Sequence, residues 1–204
     1  MKKFRSLFDL CPVREGQRNE KTVKITAMSY LRSCDDKERR MEDLLLQTSE
    51  YILLRGKGDG SWPGLLREVS IVPVRRLDGQ AVIDLRDSVP AEYQANAAFL
   101  MNVVTLHELR LAPGAGKLLT SAGNGDFQLL DKPIVLCDSM PCTKKGSVPI
   151  LYGDFSRICI EDCGRGELWQ ECRNTGSDDT RCAMTGYLNC TLEDRQAIWG
   201  LKLL

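Results

Sequence analysis

The chain has 204 residues, 43% of them hydrophobic, and its 28 basic and 28 acidic side chains give a formal net charge of zero. This composition supports a globular core of one domain, or of one domain with an appendage. It excludes general disorder and a strongly basic protein that coats nucleic acid. The single histidine, His107, excludes any site that needs two histidines from one chain. No apolar run approaches the roughly 20 residues of a membrane-spanning helix.

The first part of the chain is predicted to form a polar arm and then a long helix. Residues 1–27 are largely polar, which is typical of an arm or loop that has room for a short strand at 22–26. Residues 28–55 contain neither Gly nor Pro and carry apolar side chains at roughly helical spacing, so one long helix of about 40 Å is predicted there. The glycine-rich stretch at 55–64 should end that helix, and its glycines do not follow a phosphate-binding pattern.

Short strands and helices are predicted for the rest of the chain, which indicates the α+β class. A helical turn is expected at 90–96, and a helix at 103–111 with Asn102 as its N-cap. Polar turns are expected at 123–126 and 174–179. Strands are predicted at 69–74, 81–85, 97–101, 133–137, 150–152, 157–161, 167–171, 182–191 and 197–203.

Four of the nine cysteines form two close pairs, Cys137 with Cys142 and Cys159 with Cys163. Four thiolates in a tetrahedral arrangement would suit a zinc ion, so these cysteines are one candidate metal set. The alternative, which we prefer, is that they are small core residues, because Cys137 ends an apolar run and Cys159 lies between two isoleucines. Since nine is an odd number and no secretion signal is evident, reduced thiols are expected.

Catalytic patterns are hard to find in the rest of the sequence. A nucleophilic triad would have to use His107, and there is no Gly-x-Ser-x-Gly motif, so we interpret His107 as a surface-facing residue of the helix at 103–111. Glu161 and Asp162 are adjacent, as are residues 178 and 179. Neighbours on a strand point to opposite faces, so neither pair predicts a carboxylate dyad.

Two further patterns are interpreted as without function. The residues Asn189-Cys190-Thr191 match a glycosylation sequon, but no secretion signal accompanies it. The arginines and lysines are scattered, with no basic stripe interleaved with aromatic residues of the kind that binds nucleic acid. The sequence therefore predicts no catalytic residue and no cofactor, which favours a structural or interaction protein over an enzyme.

From residue 50 onward, four stretches in a fixed order resemble the major capsid proteins of tailed phages and prophages, which have the Hong Kong 97 type of capsid fold. The stretch EYILLRGKGDGSWPGLL at 50–66 is similar to the end of that family's spine helix and the turn after it. The stretch ANAAFLMNVVTL at 95–106 is similar to a family pattern, with Phe99 at a position usually held by Trp. The other two are LLDKPIVLCDSMP at 129–141 and ILYGDFS at 150–156.

The resemblance implies an α+β phage major capsid fold with a long spine helix, a peripheral domain and an axial domain of mixed short strands and helices. By this assignment residues 1–27 are the N-terminal arm, and 28–72 are the spine helix and a segment of the peripheral domain. Residues 73–190 are the axial domain, and 191–204 are a strand that returns to the peripheral domain.

The implied function is self-assembly as pentamers and hexamers of an icosahedral shell, which encloses DNA and contacts it non-specifically. The chain would lie in the virion, and in the host cytoplasm before assembly. A scaffold, a portal and a maturation protease are the further partners that the resemblance implies. No catalytic residue, cofactor or membrane is implied.

The sequence departs from the family pattern at two places. Asp131 stands where the family commonly has glycine. Family members normally carry an extended arm and a long β-hairpin before the spine helix, whereas residues 1–27 alone precede it here, so a compact or N-terminally truncated capsid protein is expected. The alternatives are a prophage remnant that does not assemble, a cysteine-rich zinc-binding interaction module, and a small hydrolase or transferase that uses His107.

Overall fold

A computed structural model of the chain describes residues 7–32, 36–57, 62–121, 127–166, 168–172 and 179–204. The chain divides into two units. Unit 1 comprises Met1–Pro12, Leu65–Cys159 and Leu192–Leu204, and unit 2 comprises Val13–Gly64 and Ile160–Thr191. The mixture of helices and short strands confirms the predicted α+β class.

Helices and strands are interspersed in the first half of the described residues, and strands predominate in the second half. The α-helices are α1 at Lys37–Arg55, α2 at Leu65–Glu68, α3 at Gly79–Ser88 and α4 at Val103–Leu111. Short 3-10 helices lie at Leu7–Asp9, Ala91–Tyr93, Ala115–Leu118 and Phe155–Arg157. The strands are β1 at Val13–Glu15, β2 at Val23–Arg32, β3 at Ser70–Val74, β4 at Ala98–Met101, β5 at Leu119–Ser121, β6 at Phe127–Leu129, β7 at Lys132–Leu136, β8 at Ile150–Gly153, β9 at Ile158–Arg165, β10 at Trp169–Cys172, β11 at Asp179–Leu192 and β12 at Ile198–Leu203. Among these helices, none is both long and apolar enough to cross a membrane.

A mixed sheet organises unit 1, and its described strands follow the order β3-β12-β8-β4-β7-β6-β5. The two strands β4 and β8 are buried at every position, as expected for strands that are covered on both faces. Their side chains Phe99 and Tyr152 stack, with ring centroids 4.3 Å apart. The core of unit 1 therefore lies along these two strands.

Helix α4 begins and ends where the sequence predicts. The side-chain oxygen of Asn102 accepts a hydrogen bond from the Val104 N–H at 2.9 Å, and its amide nitrogen donates to the Asp138 carbonyl oxygen at 3.2 Å. This cap satisfies one of the N–H groups that a helix leaves unpaired at its N-terminus. The predicted role of Asn102 is confirmed.

Strand β11 is the centre of the sheet in unit 2. Among the described strands the order is β1-β9-β11-β10, with β2 also paired to β11. Val23, Ile25 and Ala27 of β2 are buried and the residues between them are exposed, the pattern of a strand with one covered face. A Cβ atom placed on Gly186, which lies opposite Ile25, would be 3.2 Å from Leu45 of α1. Helix α1 therefore covers the buried face.

The long helix is shorter than predicted. It begins after Asp36, whose carboxylate accepts a hydrogen bond from the Arg39 N–H at 3.3 Å, and residues 28–32 belong to β2. The helix prediction was therefore wrong for 28–32, because ten residues of β2 pair with β11 and bury alternate side chains. Nineteen residues give a helix of about 28 Å instead of about 40 Å. The helix ends at Gly56, as predicted, where φ is +81°.

The strand predicted at 81–85 is also wrong, because these residues lie in α3. Asp78 caps this helix by accepting a hydrogen bond from the Ala81 N–H at 3.0 Å. Ala81, Val82 and Leu85 are buried at helical spacing. The other predicted strands are found, with shifted bounds. The helical turn predicted at 90–96 is found as the 3-10 helix at Ala91–Tyr93. The two predicted polar turns lie outside the described residues, except Asp179, which begins β11.

The boundaries of the two units differ from the boundaries of the predicted segments. Strand β12, in the segment predicted to return to the peripheral domain, pairs with β3 and β8 of unit 1. Residues 160–190, predicted as axial, lie in unit 2 with α1. Residues 13–15 of the predicted arm form β1, which runs parallel to β9. The assignment of arm, peripheral and axial roles stays a prediction.

The turn between β6 and β7 consists of two residues with positive φ values. Leu130 has φ +52° and Asp131 has φ +62°. A two-residue hairpin turn with both φ values positive is of type I′, which favours Asn-Gly. A side chain with a Cβ atom is strained in this conformation, so Asp131 is held there at a cost in free energy.

Candidate functional site

The four cysteines of the alternative metal set lie on or near the strands that follow α4. Cys137 is buried directly after β7, Cys142 is partly buried in the next loop, and Cys159 and Cys163 both lie on β9. The described residues contain no group of three or more His, Cys, Asp or Glu side chains that could hold a metal ion. Burial raises the pKa of the Cys163 thiol, which disfavours the thiolate form that binds zinc. The zinc alternative gains no support from these positions.

Asn189, the acceptor residue of the sequon, holds the segment after β1 on the sheet of unit 2. Its side chain is 6% exposed. Its amide nitrogen donates to the Gln17 carbonyl oxygen at 3.1 Å and to the Glu161 carboxylate at 2.8 Å, and its amide oxygen accepts from the Thr22 hydroxyl at 2.7 Å. Because the whole amide is engaged and buried, its nitrogen is poorly placed to accept a glycan. This arrangement fits the interpretation that the sequon has no function.

Arg18 extends the attachment made by Asn189. Its guanidinium lies 3.5 Å from the ring centroid of Tyr187, and its Nε donates to the Cys163 carbonyl oxygen at 3.4 Å. A cation stacked on an aromatic ring in this way helps to hold the segment on the sheet. Residues 17–22 therefore cover one end of the sheet face that lies opposite α1.

The adjacent acids Glu161 and Asp162 have different partners. Glu161 accepts from the Asn189 amide, whereas Asp162 accepts from the Gly164 N–H at 2.9 Å. The two carboxylates therefore do not form a dyad, as the alternation of side chains along a strand predicts. Asp178 of the second acidic pair lies outside the described residues.

Large apolar side chains lie on the uncovered part of the same sheet face. Met28 and Tyr30 of β2 are 58% and 54% exposed, and Trp169 of β10 is 51% exposed. In the register of the sheet, Ala183 of β11 lies between Met28 and Trp169. Tyr30 is two residues beyond Met28, and therefore on the same face. We call Met28, Tyr30, Trp169 and Ala183 the sheet strip.

Charged residues flank the sheet strip. Lys24 and Arg32 are exposed on the same face of β2, one on each side of the strip. Arg181 lies opposite Tyr30, and its Nη2 is 3.8 Å from the sulfur of Met28. Acidic residues occupy the register positions opposite Arg181 and Arg32. Aromatic residues, Met and Arg together are the composition typical of the centre of protein interfaces.

This grouping corrects the prediction that the basic residues are scattered without aromatic neighbours. The contributing residues belong to three strands, and only the pairing of β2, β11 and β10 brings them to one face. The available signal was the alternation of Lys24, Thr26, Met28, Tyr30 and Arg32. It becomes visible only when 23–32 is recognised as a strand instead of the start of a helix.

A second exposed apolar cluster lies on helix α4. Val103, Val104 and Leu111 are 39%, 45% and 88% exposed, and His107 is exposed on the same side of the helix. At about 100° per residue, these four side chains span about 100° of the helix circumference, and the exposed residues Glu108 and Arg110 border them on opposite sides. We call the four residues the outer face of α4. The prediction that His107 is a surface residue of this helix is confirmed.

A groove of about 430 Å³ lies beside the start of α3 and includes Arg75, Arg76 and Asp78. Arg76 pairs with Asp78 at 3.1 Å. The backbone N–H of Ala81 holds the pKa of the Asp78 carboxyl below its usual range. Since Asp78 is engaged as the helix cap, its carboxylate is committed to local structure and the groove carries no evident chemistry.

Comparisons with known proteins show which family and which folds this chain resembles. A profile of the phage capsid family matches residues 39–202. The capsid of an empty GTA particle with C5 symmetry has a TM-score of 0.70 at 16% identity, covering 100% of this chain and 91% of that chain. A structure of Gordonia phage Cozz has a TM-score of 0.64 at 10% identity, covering 90% and 70%.

The fold also resembles the holo-SrpI encapsulin complex from Synechococcus elongatus PCC 7942, with a TM-score of 0.57 at 15% identity, over 89% of this chain and 73% of that chain. A comparison with curated protein sequences found no match. The three structural likenesses confirm the Hong Kong 97 type of fold, and the profile, which spans most of the sequence, shows the family. The chain belongs to the phage capsid family and is a capsid structural protein.

Proposed function

We propose that this chain is the major capsid subunit, whose copies self-assemble as pentamers and hexamers of an icosahedral shell that encloses DNA. The observation that carries the proposal is the family match over residues 39–202. The likeness to a GTA capsid over the whole chain supports it. The role is structural and requires neither a catalytic residue nor a cofactor. The chain resides in the virion, and in the host cytoplasm before assembly.

The surface of the subunit is suited to tiling. A formal net charge of zero limits the repulsion between copies that pack side by side. The sheet strip and the outer face of α4 supply exposed apolar area that neighbouring copies can bury. Because symmetry repeats each contact many times, contacts worth roughly a few kcal/mol each suffice to close a shell.

The proposal assigns a role to each unit. Unit 2, which contains α1, acts as the peripheral domain, with α1 as its spine helix. Unit 1 acts as the axial domain around the five-fold and six-fold vertices. DNA is contacted non-specifically, and a scaffold, a portal and a maturation protease act during assembly.

Assembly of the purified protein at rising concentration tests the proposal. Light scattering and electron microscopy should reveal pentamers, hexamers or closed shells. Nuclease treatment of assembled particles should leave a protected fraction of DNA. A chain that stays monomeric in every condition would contradict the proposal and favour a prophage remnant that does not assemble.

A further inference from the structure

A shell needs contacts that join two different surfaces of neighbouring copies, because a contact between identical surfaces around a two-fold axis ends at a dimer. The inference drawn here therefore rests on the proposed function. It concerns the sheet strip and the outer face of α4, which are both apolar at their centre and exposed.

The sheet strip has the chemistry of an interface centre. Trp, Tyr and Arg are the residues that most often dominate binding energy when they are buried against a partner. With about half of Tyr30 and Trp169 exposed, these two rings present roughly 200 Å² of surface. Met28 brings the total to the order of 300 Å², the size of patch that is often functional on a monomer.

The described residues offer few apolar surfaces that could receive the strip. Outside the strip, Val13 of β1, Leu136 of β7 and the terminal residue Leu204 are exposed at isolated positions. The exposed side chains Leu46 and Tyr51 of α1 point about 140° apart around the helix, so they share no face.

The outer face of α4 differs from these isolated positions. Val103, Val104 and Leu111 lie within about 100° of each other around the helix. Glu108 lies about 40° beyond Val104 and provides a carboxylate at one border of the apolar surface. Arg110 lies about 20° before Val103 at the other border, and its guanidinium is held 5.1 Å from the ring centroid of Phe127. The Glu108 border of this face complements the flank of the sheet strip where Arg181 lies beside Tyr30.

We infer that the sheet strip of one copy binds the outer face of α4 of a neighbouring copy, as a head-to-tail contact of the assembled shell. Trp169 and Tyr30 pack against Leu111 of the neighbouring copy. Arg181 pairs with Glu108 of that copy. Because the two surfaces differ, each copy uses its strip toward one neighbour and its α4 toward another, and the contact can continue around a ring.

Two single substitutions test this contact. Trp169→Ser removes the centre of the strip, and Leu111→Ser removes the centre of the outer face of α4. Each variant should self-associate at least tenfold more weakly than the wild type in analytical ultracentrifugation. Circular dichroism should show an unchanged fold, because the Trp169 side chain is about half exposed and Leu111 largely exposed.

Mixing the variants tests which surfaces meet. An equal mixture of Trp169→Ser and Leu111→Ser should associate, because the second variant has an intact strip and the first an intact α4. A mixture of Trp169→Ser with Tyr30→Ser is the matched control. Both variants are then damaged in the strip, so this mixture should not associate.

Each contrary result has a distinct meaning. If Trp169→Ser forms shells as readily as the wild type, this inference fails and the proposed function stands. A wild-type chain that never associates contradicts both. Association of the control mixture, or an effect of Trp169→Ser without one of Leu111→Ser, overturns the assigned contact. The assigned contact is also overturned if the chain binds a fluorescent single-stranded oligonucleotide and Trp169→Ser abolishes that binding without changing self-association.

Discussion

The hydroxyl of Tyr93 donates a hydrogen bond of 2.6 Å to the carboxylate of Asp194, although the two residues are 101 positions apart in the sequence. Both lie in unit 1, and Asp194 belongs to the loop that leads into β12. The other carboxylate oxygen accepts from the Gln196 N–H at 2.7 Å. The bond between the side chains raises the pKa of Tyr93 to about 12 and lowers the pKa of Asp194. This pair anchors the last strand of the chain.

The pair makes stability depend on pH at both ends of the range. The folded pKa of Asp194 is lowered, so its contribution is present above the unfolded value of about 3.9 and is lost as pH falls through the folded value. The folded pKa of Tyr93 is raised to about 12. Its contribution is present below the unfolded value of about 10 and is lost as pH rises toward the folded value.

Tyr93→Phe should therefore lower the stability at pH 7 and reduce its dependence on pH at both extremes, because the hydrogen bond to Asp194 and the titrating hydroxyl are both removed. Urea unfolding of the wild type and the variant between pH 3 and pH 11 provides the measurement. A variant that retains the wild-type pH dependence would show that other groups control it.

Asn189→Asp should loosen the segment after β1. The substitution replaces the buried amide donor with a carboxylate that faces Glu161 and the Gln17 carbonyl oxygen, so two hydrogen bonds are lost and two like charges meet. We expect a loss of about 1–3 kcal/mol in the free energy of unfolding and faster tryptic cleavage at Arg18 and Lys21. Asn19→Asp is the control, because Asn19 is exposed and only its side-chain oxygen is used, as the acceptor of a hydrogen bond from the Lys21 backbone N–H. A carboxylate oxygen can replace this acceptor. Equal cleavage of the two variants would contradict the prediction.

Thr105→Val should stabilise the chain. The hydroxyl of Thr105 is fully buried in α4 and has no hydrogen-bond partner among the described residues. Burying a hydroxyl without a partner is unfavourable, and valine has nearly the same shape. The free energy of unfolding should rise by about 1 kcal/mol, whereas Thr120→Val at an exposed position of β5 should change little. A less stable Thr105→Val chain would indicate that the hydroxyl has a favourable partner.

The double substitution Leu130→Asn with Asp131→Gly should stabilise the hairpin of β6 and β7. Both residues have positive φ, and Asn-Gly is the preferred pair for a type I′ turn. Relief of the strain should add about 1 kcal/mol to the free energy of unfolding. Asp131→Ala is the control and should bring no gain, since alanine keeps the Cβ atom. If thermal unfolding is the same in all three chains, the turn is not strained.

Local signals predicted the elements that depend on short stretches of chain. The helix at 103–111 follows a capping residue, Asn102, and the strand at 97–101 is a short apolar run, so both were found with little error. The prediction failed for residues 28–32 because Met28 and Leu31 fit the spacing of a helix as well as they fit a strand. These residues form a strand because they pair with β11, about 150 residues away in the sequence. No local pattern specifies the register of that pairing.

The sequence by itself determined the family, because four ordered stretches between 50 and 156 carry its pattern, and with the family came the fold class and the capsid role. Only the tertiary structure decided which side chains share a surface. Met28, Tyr30 and Trp169 meet on one sheet face because strands from distant parts of the chain exchange backbone hydrogen bonds, and those bonds involve groups that nearly every residue carries. Contacts of this kind leave little local trace, so the sheet strip emerges only when the strands are paired.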